Sequence, residues 1–436
     1  MKSYSKYICQ QCSYESAQWL GKCPNCGTWN SLVETTINST LNTKNSKLNT
    51  NIKPQKLSEV KSIDKARMKT GIEEFDRVLG GGIVQGSVVL LAGDPGIGKS
   101  TLLLQISSTI KTPSSNILYI CGEESPQQIK IRAERMKIIG KNLQFLPQTD
   151  VDIICDQIGT IRPSLVIIDS IQTIETTDLS GASGSVGQVR ECASRLTRLA
   201  KDLNISMFII GHVTKEGSIA GPMVLEHIVD TVLFLEGERY YPGRTLRSMK
   251  NRFGPTDEVG IFEMVENGLK EVSNPSELFL GEREKNTPGS VVVPILEGTR
   301  PILVEIQALV SSTSLAFPRR IASGFDVGRL NILCAVIAKR LGLPLGGYDV
   351  FINIPGGMKI KEPAADLGVA LAIVSSFRNK PLPAKSFAFG EVGLLGEIRK
   401  VIGEEKRIKE AKRLGFNLAI DPGSIKSLSD TSRKLF

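Results

Sequence analysis

The sequence predicts an α/β protein with a central, mostly parallel sheet, preceded by a small metal-binding unit and followed by a second α/β domain. Short apolar, β-branched runs alternate with helical patterns, as in parallel sheets that are buried on both faces. A glycine-rich turn separates the first run from a helical pattern, and two cysteine pairs lie near the N-terminus. The candidate strands are Val88–Ala92, Ile117–Cys121, Leu165–Ile168, Ile205–Ile210 and Thr231–Leu235.

Changes in composition divide the 436 residues into four segments. Residues 1–35 form the cysteine unit. Residues 36–68 begin with a stretch of Thr, Asn, Ser and Lys that has few large apolar residues, which predicts a flexible linker. We expect strand and helix to alternate over residues 69–272. Residues 273–436 are predicted to form a second α/β domain, whose clearest helix covers Pro363–Phe377.

The net charge of +9 is unevenly distributed along the chain. Residues 1–70 carry 11 basic and 4 acidic side chains, residues 71–270 carry 20 and 24, and residues 271–436 carry 23 and 17. Nucleic acid is the natural polyanionic partner for such basic flanks. No apolar run reaches the ~18 residues of a membrane span, and the N-terminus lacks a signal-peptide core. We therefore expect a cytoplasmic protein without membrane contact.

The cysteine unit contains two Cys-x-x-Cys knuckles separated by ten residues. Two such knuckles complete a tetrahedral Zn²⁺ site, and the metal would supply folding energy to a unit too small to have its own core. Four thiolates leave no open coordination position, so the predicted zinc is structural rather than catalytic, and a redox role is disfavoured. The predicted ligands are Cys9, Cys12, Cys23 and Cys26.

The glycine-rich turn has the spacing of a phosphate-binding loop. In such a loop the backbone N–H groups bind phosphates, the Lys reaches the β and γ oxygens, and the hydroxyl ligates Mg²⁺. The run lies between a buried strand and a helix N-terminus, which favours anions. The sequence therefore predicts an ATP site with Lys99 in a catalytic role and Ser100 as a magnesium ligand. The predicted nucleotide contacts are Gly93, Asp94, Pro95, Gly96, Ile97, Gly98, Lys99, Ser100 and Thr101.

Acidic residues follow two of the candidate strands. Asp169 ends one of them and is predicted to hold Mg²⁺ beside the loop. Hydrolysis also needs a carboxylate that polarises water, and Glu123 is the first choice, with Glu124 as the alternative. We expect one of these two acids to cap the following helix. His212 is predicted either to sense the γ-phosphate or to have a structural role.

The run Lys250-Asn251-Arg252-Phe253-Gly254 carries two cations on one side if it is extended. Charge alone favours a solvated basic turn. This run, the zinc knuckles, the phosphate loop and Thr70–Gly82 occur in the order typical of RadA (Sms) proteins, and the chain resembles that family of bacterial DNA-repair ATPases nearly end to end. The resemblance implies a RecA-like core that forms hexameric rings on single-stranded and branched DNA, with a possible recombinase partner. It also implies that Lys250 and Arg252 act as catalytic fingers on a neighbouring subunit's ATP.

By the same resemblance, the segments Thr176–Gln188 and Val213–Pro222 correspond to loops that line a DNA channel, and Lys215 is the candidate phosphate contact. A plain mobile loop is the alternative for both segments. The C-terminal domain is similar to the proteolytic domain of Lon, but Ala364 stands at the nucleophile position and Arg407 at the base position. The resemblance therefore implies a domain without peptidase activity. Its candidate DNA contacts, for each of which a solvated surface is the alternative, are Arg319, Arg320, Arg329, Lys359 and Lys361.

The function predicted from these observations is a DNA-dependent ATPase that drives branch migration during recombinational repair. Two alternatives belong to other classes. A RecA-like module could switch with nucleotide and recruit partners without translocating, in which case ATP turnover would be independent of DNA. A Lon-type ATP-dependent protease is the least favoured alternative, because Ala364 offers no nucleophile.

Overall fold

The structure is a computed structural model that describes residues 3–9, 14–25, 27, 29–38, 67–110, 116–179, 181–212, 222–237, 243–281, 283–284 and 286–436. These residues belong to two compact units. One comprises residues 1–236, 244–256 and 262–271, and the other comprises residues 237–243, 257–261 and 272–436. The four-segment division proposed from the sequence stays a prediction.

The N-terminal residues form a small antiparallel sheet in the order β2-β1-β3. Its strands are β1 (Ser3–Cys9), β2 (Glu15–Ser16) and β3 (Leu32–Asn38). Cys9 lies opposite Leu32 across the β1–β3 pair. Both residues belong to one small buried cluster together with Cys23. Among the described residues this cluster is small, as expected for a unit that depends on metal for its stability.

The central domain is built on a nine-stranded sheet in the order β12-β11-β10-β9-β4-β8-β7-β5-β6. The six strands from β9 to β6 in this order are parallel. The elements are α1 (Glu73–Val78), β4 (Val88–Gly93), α2 (Lys99–Thr109), β5 (Ile117–Cys121), α3 (Pro126–Arg135), β6 (Leu143–Leu146), α4 (Val151–Ile161), β7 (Leu165–Asp169), α5 (Val186–Leu203), β8 (Ser206–His212), α6 (Pro222–Leu225), β9 (Thr231–Glu236), β10 (Gly243–Asn251), β11 (Val259–Val265) and β12 (Gly268–Glu271).

The expectation that strand and helix alternate as far as Val272 is wrong beyond Glu236. The chain there continues the sheet with β10 antiparallel to β9 and with the antiparallel pair β11–β12. The parallel part confirms the fold class predicted from the sequence, and its strands are buried on both faces. Val89 and Leu91 belong to one core layer, whereas Val88 and Leu90 belong to the layer on the other face. Alternate residues of one apolar strand thus supply two cores.

The C-terminal unit is an α/β domain with a four-stranded sheet in the order β13-β14-β16-β15, which shares a core with α8 and α9. The helix predicted over Pro363–Phe377 begins as a 3-10 turn over Pro363–Ala365 and continues as α9. The elements are α7 (Pro275–Leu280), β13 (Ser290–Glu297), β14 (Arg300–Ser312), β15 (Arg320–Ser323), α8 (Val327–Leu341), β16 (Tyr348–Asn353), α9 (Asp366–Phe377), β17 (Ser386–Ala388), β18 (Glu391–Val392), β19 (Ile398–Arg399), α10 (Glu404–Arg413), β20 (Leu418–Ile420) and α11 (Leu428–Leu435).

None of the helices in the described part of the chain has the length and hydropathy of a membrane span.

Candidate nucleotide site

The phosphate loop connects the end of β4 to the start of α2. Gly93 has a φ of 153°, and a Cβ at this position would lie 2.3 Å from the carbonyl oxygen of Leu235. Gly98, with a φ of 115°, precedes the first helical residue, Lys99. Side chains at these two glycines would be strained or blocked, so the backbone alone shapes the loop. Asp94 to Gly96 form its exposed tip, where N–H groups are open to an anion.

Lys99 is held above this loop and is only 3 % exposed. Its Nζ atom donates to the carbonyl oxygens of Gly93 and Asp94, at 2.9 Å in each case. The same atom lies 3.1 Å from Nδ1 of His212. Burial lowers the pKa of Lys99 to about 8, although Asp169 and other nearby carboxylates oppose the shift. The ammonium group therefore gains from any anionic ligand that enters the loop.

Asp169 ends β7 next to the loop and is 6 % exposed. Its carboxylate accepts hydrogen bonds from the hydroxyl groups of Ser100 and Tyr119. Burial raises the pKa of Asp169, and these two bonds partly offset the increase. Hydroxyl and carboxylate oxygens are ligands that Mg²⁺ uses together with phosphate oxygens. The adjacent Ser100 and Asp169 therefore fit a magnesium ion bound with a nucleotide.

Glu123 and Glu124 follow β5, and the structure separates their surroundings. Oε1 of Glu123 accepts a hydrogen bond from the hydroxyl of Ser170 and lies 3.1 Å from Nε2 of His212. The hydrogen bond with His212 is the main reason that the pKa of Glu123 is lowered. Glu124 instead forms an ion pair with Arg132 of α3. Glu123 thus shares the network of Lys99, whereas the second carboxylate is already paired with a cation.

The expectation that one of the two acids caps α3 is wrong. Ser125 is the N-cap, and its side chain accepts a hydrogen bond from the backbone N–H of Gln128 in a capping box. Serine followed three residues later by glutamine is the usual signal for this arrangement. Both acids are therefore free of a capping role.

Lys250 and Arg252 lie at the opposite edge of the sheet from the phosphate loop. Asn251, between them, is opposite Thr231 of β9, and Thr231 is opposite Val89 near the start of β4. The phosphate loop begins four residues further along β4. At a strand rise of ~3.3 Å per residue, Asn251 and the loop are about 13 Å apart along the strand direction. The structure does not bring these two cations to the chain's own loop.

Both cations are bound to groups at their own edge of the sheet. Lys250 Nζ donates to the carbonyl oxygens of Glu226 at 2.5 Å and of Val229 at 2.9 Å. Arg252 pairs with Asp230 at 3.3 Å. Asp230, which the sequence did not single out, is buried and also pairs with Lys201 at 3.0 Å. Lys250 and Arg252 thus bind two consecutive residues of the chain, Val229 and Asp230.

Comparisons with known proteins identify the family. An AAA domain model matches residues 54–218, and a rubredoxin metal-binding domain model matches residues 7–34. A protein described as DNA repair protein RadA from Bacillus subtilis is 51% identical over 427 residues, covering 97% of this chain and 93% of that protein. Proteins of the same description from Halalkalibacterium halodurans and Listeria monocytogenes are each 50% identical over 424 residues, covering 97% of this chain and 93% and 92% of those proteins. The chain belongs to the RadA family. The predicted fold class is confirmed, and the chain is an ATP hydrolase of this DNA-repair family.

The structure describes two of the four predicted zinc ligands of this RadA chain. Cys9 and Cys23 are each 1% exposed and lie in the same cluster. Cys9 Sγ also lies 3.2 Å from the hydroxyl of Ser31. Cys12 and Cys26 lie outside the described residues. Two buried thiols from separate knuckles, in a module matched by a metal-binding family, fit a structural zinc.

In one of the two segments predicted to line a DNA channel, the side chain of Gln188 binds backbone groups at the start of the segment. This buried side chain accepts a hydrogen bond from Thr176 N at 2.8 Å and donates to the carbonyl oxygens of Thr176 at 3.0 Å and Leu179 at 2.9 Å. Arg195 adds a salt bridge to Asp178 at 2.7 Å. These bonds tie Thr176 and Leu179 to the start of α5. Lys215 and most of the second segment lie outside the described residues.

The C-terminal domain has no nucleophile at the position where the Lon resemblance places one. Ala364 is buried, and its carbonyl oxygen accepts a hydrogen bond from Gly390 N at 2.8 Å. Arg407 is 1% exposed and forms two hydrogen bonds with Glu362, at 2.8 and 2.6 Å. A guanidinium group stays protonated in proteins, so Arg407 cannot accept a proton.

The five candidate DNA contacts of this domain differ in their surroundings. Arg320 donates to the carbonyl oxygens of Tyr348 and Leu345, and Arg329 pairs with Asp366, so both have structural partners. Arg319, Lys359 and Lys361 have exposed side chains. Both lysines line a cleft of about 570 Å³. The candidates best placed to meet a polyanion are therefore Arg319, Lys359 and Lys361.

Proposed function

We propose that this RadA-family protein is a DNA-dependent ATPase that acts as a ring on single-stranded and branched DNA and promotes branch migration. The observation that carries the proposal is the division of the catalytic groups between two edges of one sheet. Lys99, Asp169 and Glu123 meet at the phosphate loop, whereas Lys250 and Arg252 lie at the far edge. A complete site then requires two subunits, each offering a different edge.

At the loop edge, the chain's own groups account for binding and for activation of water. The backbone of Gly93–Ser100 and the side chain of Lys99 would bind the triphosphate. Ser100 and Asp169 would hold Mg²⁺, which when bound neutralises charge on the β and γ phosphates. Glu123 would orient and polarise the attacking water, since its pKa is lowered and it stays a carboxylate. His212 is the last residue of β8 and contacts both Lys99 and Glu123. It would therefore sense whether a γ-phosphate is bound.

At the far edge, Lys250 and Arg252 would act on the ATP of a neighbouring subunit. Cations supplied from outside the nucleotide-binding subunit typically raise the hydrolysis rate by ~10³–10⁵. The side chain of Arg252 is 53% exposed although its partner Asp230 is buried, so a phosphate could draw it from that pair. A hexameric ring would repeat this shared site at every subunit boundary.

DNA contact is proposed at two places. The segment Thr176–Gln188 would face the channel, together with Lys215. It follows the carboxyl end of β7, which is the end of the sheet that carries the phosphate loop. In the C-terminal domain, Arg319, Lys359 and Lys361 would bind phosphates without reading sequence. A recombinase partner, recruited through the zinc module, would bring the ring to recombination intermediates. Protease function is not proposed, because Ala364 and the paired Arg407 offer neither nucleophile nor base.

Subunit mixing tests the proposal. Lys99→Ala and Arg252→Ala proteins should each hydrolyse ATP slowly with single-stranded DNA present, and a mixture should regain activity because some boundaries then carry both native residues. Arg433→Ala, at a side chain that is 80% exposed in α11, is the matched control and should behave as wild type. A mixture no more active than its components would contradict a shared site. Turnover that does not respond to DNA would favour the nucleotide-switched module instead.

A further inference from the structure

Tyr119 is a tyrosine in the middle of an apolar buried strand. It belongs to β5, is fully buried, and its ring packs against that of Phe145 with centroids 5.6 Å apart. Leucine or phenylalanine could also fill this apolar space. Packing therefore does not explain why the side chain carries a hydroxyl group. A buried phenol needs a partner, and here the partner is Asp169.

The register of the sheet explains why the two side chains meet. In the parallel pair β5–β7, Tyr119 is opposite Ile167 and Cys121 is opposite Asp169. Residues two apart on a strand share a face, so Tyr119 and Asp169 lie on the same face of the sheet as diagonal neighbours. The length of a tyrosine ring spans this diagonal, and the hydroxyl donates to Oδ2 of Asp169.

The carboxylate is thereby held by two hydroxyl groups from different elements. Ser100 holds it from the start of α2, and Tyr119 holds it from β5. A phenol is protonated at neutral pH, so the hydroxyl of Tyr119 is the donor in this bond. The phenol binds one of the two carboxylate oxygens, Oδ2.

We infer that Tyr119 is a positioning residue for the magnesium carboxylate: its hydroxyl fixes the orientation of Asp169 so that one oxygen faces the ion. The inference rests on the magnesium site of the proposed function. Hydrogen-bonding partners that orient a metal ligand typically change metal affinity by ~10–100-fold when they are removed. In this role Tyr119 acts through Asp169 and is not itself a ligand of the ion.

The test measures the coupling between Mg²⁺ and nucleotide in the full-length protein. The affinity for a fluorescent ADP analogue is measured with Mg²⁺ and with EDTA, and the ratio of the two affinities is the readout. Tyr119→Phe should lower this ratio about tenfold while leaving the EDTA affinity unchanged. The ratio is taken within one variant, so partial unfolding of a preparation reduces the signal without changing the ratio.

Three comparisons make the result decisive. Phe145→Leu disturbs the packing of the Tyr119 ring without removing the hydroxyl and should keep the wild-type ratio. Site-specific 4-aminophenylalanine at position 119 restores a donor and should recover the coupling. Asp169→Asn should abolish it, and if it does not, the magnesium site itself is wrongly assigned. If Asp169→Asn lowers the ratio and Tyr119→Phe does not, the inference about Tyr119 fails while the proposed function stands.

Discussion

The Nζ atom of Lys99 lies 3.1 Å from Nδ1 of His212, so the phosphate loop is tied to the end of a strand that does not carry it. The other ring nitrogen of His212 lies 3.1 Å from Glu123. With Nε2 protonated, the neutral imidazole can donate to the carboxylate and accept from the ammonium group at once. Lys99 and Glu123 are thus joined through a single ring.

We expect His212→Ala to move the acid limb of the pH–rate profile of ATP hydrolysis to higher pH. The hydrogen bond from His212 is the main cause of the lowered pKa of Glu123, so its loss lets that pKa rise and Glu123 is protonated at a higher pH. The profile of kcat against pH measures the shift. A limb that stays in place while kcat falls would mean that His212 acts without affecting the ionisation of Glu123.

Lys99→Met should stabilise the nucleotide-free protein at pH 7. Burial lowers the pKa of Lys99 from 10.5 to about 8, so the folded state holds the charged form at a cost of up to about 3 kcal/mol. Between pH 8 and 10.5 the unfolded chain binds more protons at this group, and wild-type stability should therefore rise with pH towards that of the variant. Urea unfolding at pH 7 and pH 10 measures the difference, which should be smaller at pH 10.

Removal of Arg407 should lower the stability of the fold far more than removal of a surface arginine. Arg407→Met leaves the carboxylate of Glu362, which is 24% exposed, without its cation, for which a loss of up to ~3–5 kcal/mol is expected. The double variant Arg407→Met/Glu362→Leu should recover part of this loss, because neither charge is then buried alone. Thermal unfolding of the three proteins gives the comparison. Equal stability of the single and double variants would show that the pair contributes no coupling.

Gln188→Ala should uncouple DNA from ATP turnover. The side chain makes hydrogen bonds with the backbone of Thr176 and Leu179, and their loss removes partners from buried polar groups at ~1–3 kcal/mol each. We expect faster amide exchange over residues 176–188, with basal turnover kept and stimulation by single-stranded DNA reduced. Gln128→Ala, in the capping box of α3, is a glutamine control outside the loop. Unchanged stimulation despite faster exchange would separate this loop from DNA contact.

Chelation of zinc, or Cys9→Ser, should unfold residues 1–35 and leave ATP binding intact. Cys9 is buried in the small core of the module, which has too few apolar residues to fold without metal. Circular dichroism and nucleotide titration of the same sample check both parts of the prediction. Loss of ATP binding on chelation would contradict the independence of the two parts.

Local patterns were sufficient for the parallel strands and the phosphate loop. Val88–Ala92 was predicted to within one residue of β4, because two-sided burial forces a continuous apolar run and the loop residues are adjacent in sequence. Asp169 and Glu123 could be found by the same logic, since strand ends meet at one edge of a parallel sheet.

Contacts between distant residues could not be predicted in this way. Tyr119 looked like one more strand residue, and its role depends on the register between β5 and β7. Arg329 looked like a surface cation until the fold placed it on Asp366, 37 positions away. Strand β10 was missed because its residues alternate between polar and apolar and it lacks the continuous apolar run of the parallel strands.

The ion pair between Arg407 and Glu362 also limits how this domain could change by mutation. A serine at position 364 would need a proton acceptor, but the guanidinium of Arg407 stays protonated and cannot serve as one. Replacing Arg407 first would leave the carboxylate of Glu362 without its cation. Each single step towards a hydrolytic site is therefore either inert or destabilising. Peptidase activity at this position would therefore need changes at more than one residue together.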